Sequence, residues 1–314
     1  MFRVRLLLGF LFLILVLGRT PEVDAAPCCA RSAAAPFLIL GDDEAQFNFG
    51  LSFADTVAAA NSNGSVYFND PQDTDRASNL RLDGAVLLSD RFQAGASLVL
   101  VGRSVTSSAA EHSAWGLGDI RLSMGYEVLP SWTYSVWRPQ GFVFSVLTLP
   151  VGRSLYEATP QSTPADYTGN GFYSASVGTL FTKRWSTWDA FLIGEMHYGL
   201  PRTFNAAAGL LTVRPGWGGS LGVGGGWSPG GGSLRLGLRA QPRMDQARSI
   251  EGLGPSPSST AVISYCDTGF DLSYMLGGQD TFMLSYTDQT VLGSAVNTNL
   301  VRSVALNFQH RWER

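Results

Sequence analysis

The chain has 314 residues, a formal charge of −3 at pH 7 and one lysine, Lys183, so it offers no basic face for neutralising nucleic-acid phosphates. Charged residues make up 15 %, well under the roughly one quarter usual in soluble domains, while glycine (36 residues) and aromatics (11 %) are plentiful. A surface so short of charge does not meet water on every side.

The N-terminus opens with the basic stretch MFRVR, an apolar run over residues 6–18, and Val23-Asp24-Ala25 as a small-x-small cleavage signal. This layout predicts a secretory signal peptide over residues 1–25, removed in the mature protein. The run is shorter than the roughly 20 residues a membrane helix needs, and no later stretch is longer. Cys28 and Cys29 follow, with Cys266 far downstream. Three cysteines so spaced form neither a disulfide framework nor a metal site. Residues 26–44 are expected to be a short periplasmic segment, whose AAAPFLIL (33–40) can tuck into the mouth of the domain that follows.

From residue 45 onward the chain alternates apolar and polar residues with period 2, as half-buried strands do. Phe47, Phe49, Leu51 and Phe53 share one face, and Leu80 and Leu82 oppose Arg81 and Asp83. Ile120, Leu122, Met124, Tyr126 and Val128 oppose Arg121, Ser123, Gly125 and Glu127. GFVFSVLTLP alternates less cleanly because both its faces are apolar. Trp188, Ala190 and Leu192 lie against Asp189, Glu195 and His197, and Leu234, Leu236 and Leu238 against Arg235 and Arg239. FDLSYML, TFMLSYT and SVALNFQHRW complete about twelve such segments, and Arg311 falls on the polar side of the last.

Short connections (88–91, 183–187, 229–232, 277–279) alternate with long polar ones (56–79, 104–114, 152–170, 201–212, 242–259, 288–299). Phe92, Tyr126, Phe142, Phe181, Trp188, Trp227, Tyr274, Phe282 and Trp312 all fall near the short-turn ends, where they would form one interfacial girdle. These regularities predict an all-β fold: a transmembrane antiparallel up-and-down β-barrel of about twelve strands over 45–314, with periplasmic turns and termini and long outer loops. A closed sheet is required because backbone groups in hydrocarbon must all be paired. A secreted β-sandwich would explain the alternation but neither the two-length rhythm nor the one-ended aromatics. Ile120 to Val128 and Leu234 to Leu238 would then touch lipid.

Three stretches occur in order: GLGDIRLSMGYEVL, LTLPVGRS (147–154) and TGNGFYSASVGTLFTKRW (168–185). In them the chain resembles the outer-membrane family named for the meta-pathway of phenol degradation, whose members are described as transporters. The layout of the resemblance runs from about residue 41 to the C-terminus, and its recognisable words lie within 116–185. It implies an outer-membrane barrel of a Gram-negative bacterium, surrounded by lipid and lipopolysaccharide and passing small hydrophobic or aromatic solutes. One departure is the C-terminus. Outer-membrane barrels commonly end in an aromatic residue, whereas here Glu313 and Arg314 follow Trp312.

No motif points to covalent chemistry, a cofactor or a metal. Gly222, Gly224, Gly225 and Gly226 sit in a strand pattern with no helix or Gly-Lys-Ser/Thr after them, so they read as small residues in a crowded wall rather than a phosphate cradle. No Gly-x-Ser-x-Gly elbow accompanies the three histidines, and His197 is expected to hydrogen-bond a neighbour such as Glu195. Asp70, Asp73 and Asp75 crowd a loop without the glycine and closing glutamate of an EF-hand.

The residues expected to face the lumen are Arg81, Asp83, Asp119, Arg121, Glu127, Asp189, Glu195, His197, Arg235, Arg239 and Arg311. Both signs occur in similar number. Two readings follow: a constriction selecting solutes by charge and width, or arginine–carboxylate pairs that bridge and close the interior. The leading expectation is a channel for passive diffusion of small apolar or aromatic solutes. The alternatives are a non-transporting surface or envelope barrel and, third, an outer-membrane hydrolase.

Overall fold

In a computed structural model the described residues are 38–41, 43–70, 72–106, 110–131, 135–157, 163–206, 209–229, 233–252 and 257–314. The expected signal peptide, Cys28 and Cys29 lie outside them. Twelve staves run up and down: β1 (Asp43–Ala60), β2 (Thr74–Leu87), β3 (Phe92–Thr106), β4 in two pieces (Glu111–Leu117 and Ile120–Leu129), β5 (Gln140–Leu149), β6 (Ser174–Arg184), β7 (Trp188–Gly199), β8 (Gly216–Trp227), β9 (Leu234–Asp245), β10 (Ile263–Leu276), β11 (Asp280–Asp288) and β12 (Thr298–Glu313). Each pairs antiparallel with its sequence neighbours, and β12 returns to β1 with Phe308 opposite Phe49, closing the barrel. Closure leaves no stave with an unpaired edge.

The alternation read in the sequence sorts residues between the two sides of this wall. Leu122, Met124, Tyr126 and Val128 are exposed on the outside while Ser123 between them is buried inside. Ile120 shares their outer face, as Leu234, Leu236 and Leu238 share one around the buried Arg235. The tight turns gather at one end, and Phe92 pairs there with Tyr126, Trp188 with Trp227, and Phe282 with Phe308, the last two with ring centroids 6.2 and 5.1 Å apart. Phe181, Tyr274 and Trp312 point outward near the same end.

Phe142 does not join this girdle. It points inward and is 2 % exposed, packed with Leu38, Phe144, Leu180, Phe191 and Ile193 inside the barrel. The stave it belongs to is apolar on both faces, so alternation alone gave no direction. The outer aromatics are also not confined to one end. Trp115, Tyr173, Trp217 and Tyr286 are exposed at the loop end, where Trp217 packs on Tyr198 at 4.8 Å.

Several staves overshoot the wall and carry part of the expected loops. β1 runs on to Ala60 and β9 to Asp245, while Arg202–Ala206 and Gly209–Arg214 form a hairpin joined by Ser249–Glu251 into a small separate sheet. Its apolar side buries Phe204, Leu211 and Val213 with Phe172 at the loop end of the barrel.

Glycines thin the inner face of β8. A Cβ on Gly224 would lie 2.6 Å from the Phe191 ring and one on Gly222 2.6 Å from Ile193, while one on Gly226 would meet the Arg235 guanidinium. Neighbouring staves thus reach one another across β8. The ladder between β8 and β9 lacks two rungs, between the Ser220–Arg243 and Val223–Ala240 pairs. Pro242, which has no N–H to give, sits in that gap.

Candidate functional site

The interior has two storeys. The lower, at the turn end, is filled. On one wall it holds the apolar cluster around Phe142 and Phe144, into which residues 38–40 insert from the N-terminal side. Ile39 donates its N–H to Gln93 Oε1 at 2.5 Å, and Gln46 Nε2 donates to the Leu38 carbonyl at 3.3 Å. The described part of the AAAPFLIL stretch therefore does enter the barrel. On the adjoining wall Arg235 donates two bonds to Asp189, at 2.7 and 2.8 Å, and a third to Asp271. Asp83 is buried beside Arg81, and Arg311 is held near Asp43 and the Gly278 carbonyl. Ionised groups at such burial persist only when paired, and here each lies with an opposite charge.

The upper storey is open. A cavity of about 840 Å3 lies between Arg81, Ser97, Arg121, Arg239, Ser285 and Asn307 and the loop end. Its roof is the segment before β6, which folds inward and places Tyr167, Asn170 and Phe172 on the lining. A local device holds that segment. β4 breaks at Gly118 and Asp119, and the freed Asp119 carboxylate accepts the Gly152 N–H at 3.1 Å and the Asn170 N–H at 2.8 Å. Thr168 Oγ1 donates to the Leu117 carbonyl at the same break. The Gly-Leu-Gly-Asp, Leu-Pro-x-Gly and Gly-x-Gly words of the sequence thus meet at one point, the root of the inward loop.

The eleven residues expected to face the lumen all lie on inner faces or at this break. Arg81, Asp119, Arg121, His197 and Arg239 line the cavity. Asp83, Asp189, Arg235 and Arg311 are buried in the lower storey. Glu195 is half-buried on the inner face of β7, and Glu127 accepts a 2.7 Å bond from Gln140 Nε2 near the turn end. His197 meets Asp245 at 3.0 Å rather than Glu195. His197 and Asp245 both register with Gly218, whose missing side chain lets them touch over the stave between.

Reading by alternation missed Arg103, Arg243, Arg248 and Asp271. Asp271 was legible as the polar partner of Phe270 and Leu272. Arg243 follows Pro242, which reads as a loop start, yet the stave continues through it. Asp75 is taken by Arg103 in two bonds of 2.8 and 2.6 Å, and Asp70 caps its own turn through the Gln72 N–H. Cys266 is buried and makes no disulfide among the described residues. A second hollow, of about 640 Å3, opens where the β8–β9 ladder is broken. It runs from Leu221 and Met244 on the outer face to Arg243 and Tyr265, which also line the main cavity.

An apolar exterior, a closed twelve-stave wall and a polar interior define the fold class of outer-membrane β-barrels. Among solved structures the chain is similar to an outer membrane channel from Pseudomonas putida F1, with a TM-score of 0.69 and 13 % identity over 90 % of this chain and 100 % of that one. Lower likenesses, which carry no weight for function, are the beta domain of the Bordetella autotransporter BrkA (TM-score 0.47, 14 % identity, 86 % of this chain and 100 % of that one) and a TodX monoaromatic hydrocarbon channel mutant (0.45, 10 %, 87 % and 91 %). No protein-family description and no curated protein sequence matches the chain.

Proposed function

We propose that the protein is an outer-membrane channel for the passive diffusion of small apolar or aromatic solutes, with lipid and lipopolysaccharide around its outer face. The observation that carries this reading is the 840 Å3 cavity inside a closed wall whose outside is apolar, a volume within the roughly 300–1,000 Å3 of small-molecule sites. The outer-membrane channel that shares the fold supports the same reading. The inner residues bind by charge, hydrogen bond and aromatic contact, and no bond is made or broken. Solute reaching the cavity from the loop end passes the inward segment held by Asp119, and onward passage requires the residue 38–40 plug to yield. The turn end is read as periplasmic, because outer-membrane barrels place their short turns there.

Proteoliposomes test this directly. Flux of a neutral monoaromatic compound should exceed that of empty liposomes, and substitution of Leu38 by glycine should raise it. Flux equal to the empty control in both proteins would remove the channel reading. A second reading, a non-transporting envelope barrel, is favoured by the filled lower storey alone, and it predicts that equality.

A further inference from the structure

Charge and tryptophan are divided unevenly around the rim at the turn end. On the arc from β10 through β1 to β3 the rim carries acids, among them Asp90 and Asp280, which lie with Arg314 at 2.6 Å and His310 at 2.7 Å. On the remaining arc, from β4 to β9, residues 130–140, 181–188 and 225–234 carry Arg138, Lys183 and Arg184 and no acid. Glu127 and Asp189, which border these segments in sequence, face the lumen and are engaged there by Gln140 and Arg235. The same three segments hold four of the eight tryptophans of the chain, Trp137, Trp185, Trp188 and Trp227.

Lys183 stands on the outer face of β6. It registers with Ala190, and Phe181 before it registers with Leu192, both on the outer face of β7. Its Nζ donates to the Ser135 carbonyl at 2.5 Å, and Trp185 Nε1 donates to the Val136 carbonyl at 3.1 Å. These two bonds strap the connection before β5 against the end of β6. The strap leaves Val136 60 % and Trp137 84 % exposed. Elsewhere on the outer face Asp288 pairs with Arg302 at 2.9 Å and Asp280 with His310. Lys183 has no carboxylate partner among the described residues.

An ammonium at the edge of hydrocarbon keeps its apolar stem among the chains and its charge at the level of the headgroups. Lys183 has three N–H donors and gives one to Ser135, so the others can take an anion. Indole rings settle at the same depth, where the ring meets chains and the N–H meets polar groups. A cation set among tryptophans thus suits a ligand that joins a phosphate to apolar chains. The acid-free arc holds no carboxylate to compete with that phosphate.

We propose that the rim from β4 to β9 binds an anionic phospholipid of the leaflet around the turn end, with Lys183 on the headgroup phosphate and Val136 and Trp137 against the acyl chains. The site goes beyond the channel reading and does not depend on flux. It requires only that hydrocarbon covers the outer face. By completing the bonds of Lys183, the lipid also steadies the strap before β5.

Native mass spectrometry tests the site on the folded protein, released from nanodiscs made of equal parts phosphatidylglycerol and phosphatidylcholine. The protein should retain phosphatidylglycerol about fivefold over phosphatidylcholine, the preference that one lysine near an anionic headgroup gives. Lys183→Gln should bring the two lipids to equal retention, and Lys183→Arg should keep the preference. Arg314→Gln, on the other arc and paired with Asp90, should leave it unchanged. The heat-modifiable folded band shows that each variant folds. Inorganic phosphate, which shares the chemistry of the headgroup, should not displace the lipid; displacement would mean that the anion alone is recognised and would overturn the lipid assignment. Equal retention of both lipids by the unaltered protein would leave this rim to a protein partner and overturn it too. A preference untouched by Lys183→Gln, or lost equally with Arg314→Gln, would remove the site as placed here.

Discussion

Arg235 shows how much one residue can be asked to hold. It is 6 % exposed and joins carboxylates from two other staves, Asp189 and Asp271. Replacing it with leucine leaves two buried carboxylates facing one another, a change of about 3–5 kcal/mol by analogy with other broken buried pairs. The expected result is a fall in the urea concentration at which the folded band is lost, larger than for Arg103→Leu, whose pair is part-exposed. Gly224→Val tests the complementary limit. Its new side chain has nowhere to go but the Phe191 ring, so the yield of folded barrel should drop sharply while Ala190→Val on the outer wall is tolerated. Both positions were readable as inward from the sequence. That His197 would meet Asp245 was not, because the contact depends on register across a third stave and on a glycine between.

Among elements, the N-terminal plug and the inward loop bracket the cavity from opposite sides. Residues 38–40 are held by three hydrogen bonds to side chains, two between Ile39 and Gln93 and one from Gln46 to Leu38, and by the packing of Leu38 on Phe142 and Phe144. Gln93→Ala should therefore loosen the plug without touching the wall, seen as faster proteolysis near residue 40 with the folded band unchanged. In the inward loop Asp166 accepts the Thr163 N–H at 2.7 Å, and this bond to the charged form holds the carboxyl below its ordinary range. A depressed acid contributes stability above its unfolded pKa and loses it as pH falls through the folded value. Protection factors for amide exchange in 163–170, corrected for the intrinsic rate at each pH, should thus hold from pH 7 to 5 and fall, relative to Asp166→Asn, only below the usual carboxylate range. Element boundaries were the less legible part of the sequence. Period 2 marks where a strand lies, but nothing local shows that β1 and β9 continue past the wall, or that a Pro-Arg pair belongs to a stave rather than a loop.

At the scale of the whole molecule the stability question is which medium covers the outer face. Leu122, Leu221, Leu238 and Leu284 are between 42 and 67 % exposed, an arrangement that water would disfavour and hydrocarbon would not. Leu122→Arg should cost about 2–4 kcal/mol in lipid if the site lies near mid-depth, and Ser303→Arg, on the lumen side, far less. Folding yield into liposomes measures both. Fold class and the two faces followed from alternation and loop rhythm, because each depends on residues close in sequence. The division into a filled lower storey and an open upper one did not, since it is set by how far each stave is staggered along the barrel.

The gap opposite Pro242 has a mechanical consequence. Tension applied along a cylinder of hydrogen-bonded ribbons is shared by its rungs, so rupture begins at the pair with the fewest. Stretched across its wall by a force probe, the barrel should open first between β8 and β9, becoming a single sheet still joined through the β12–β1 pair. Pro242→Thr, which restores a donor to the seam, should raise the force of that first event.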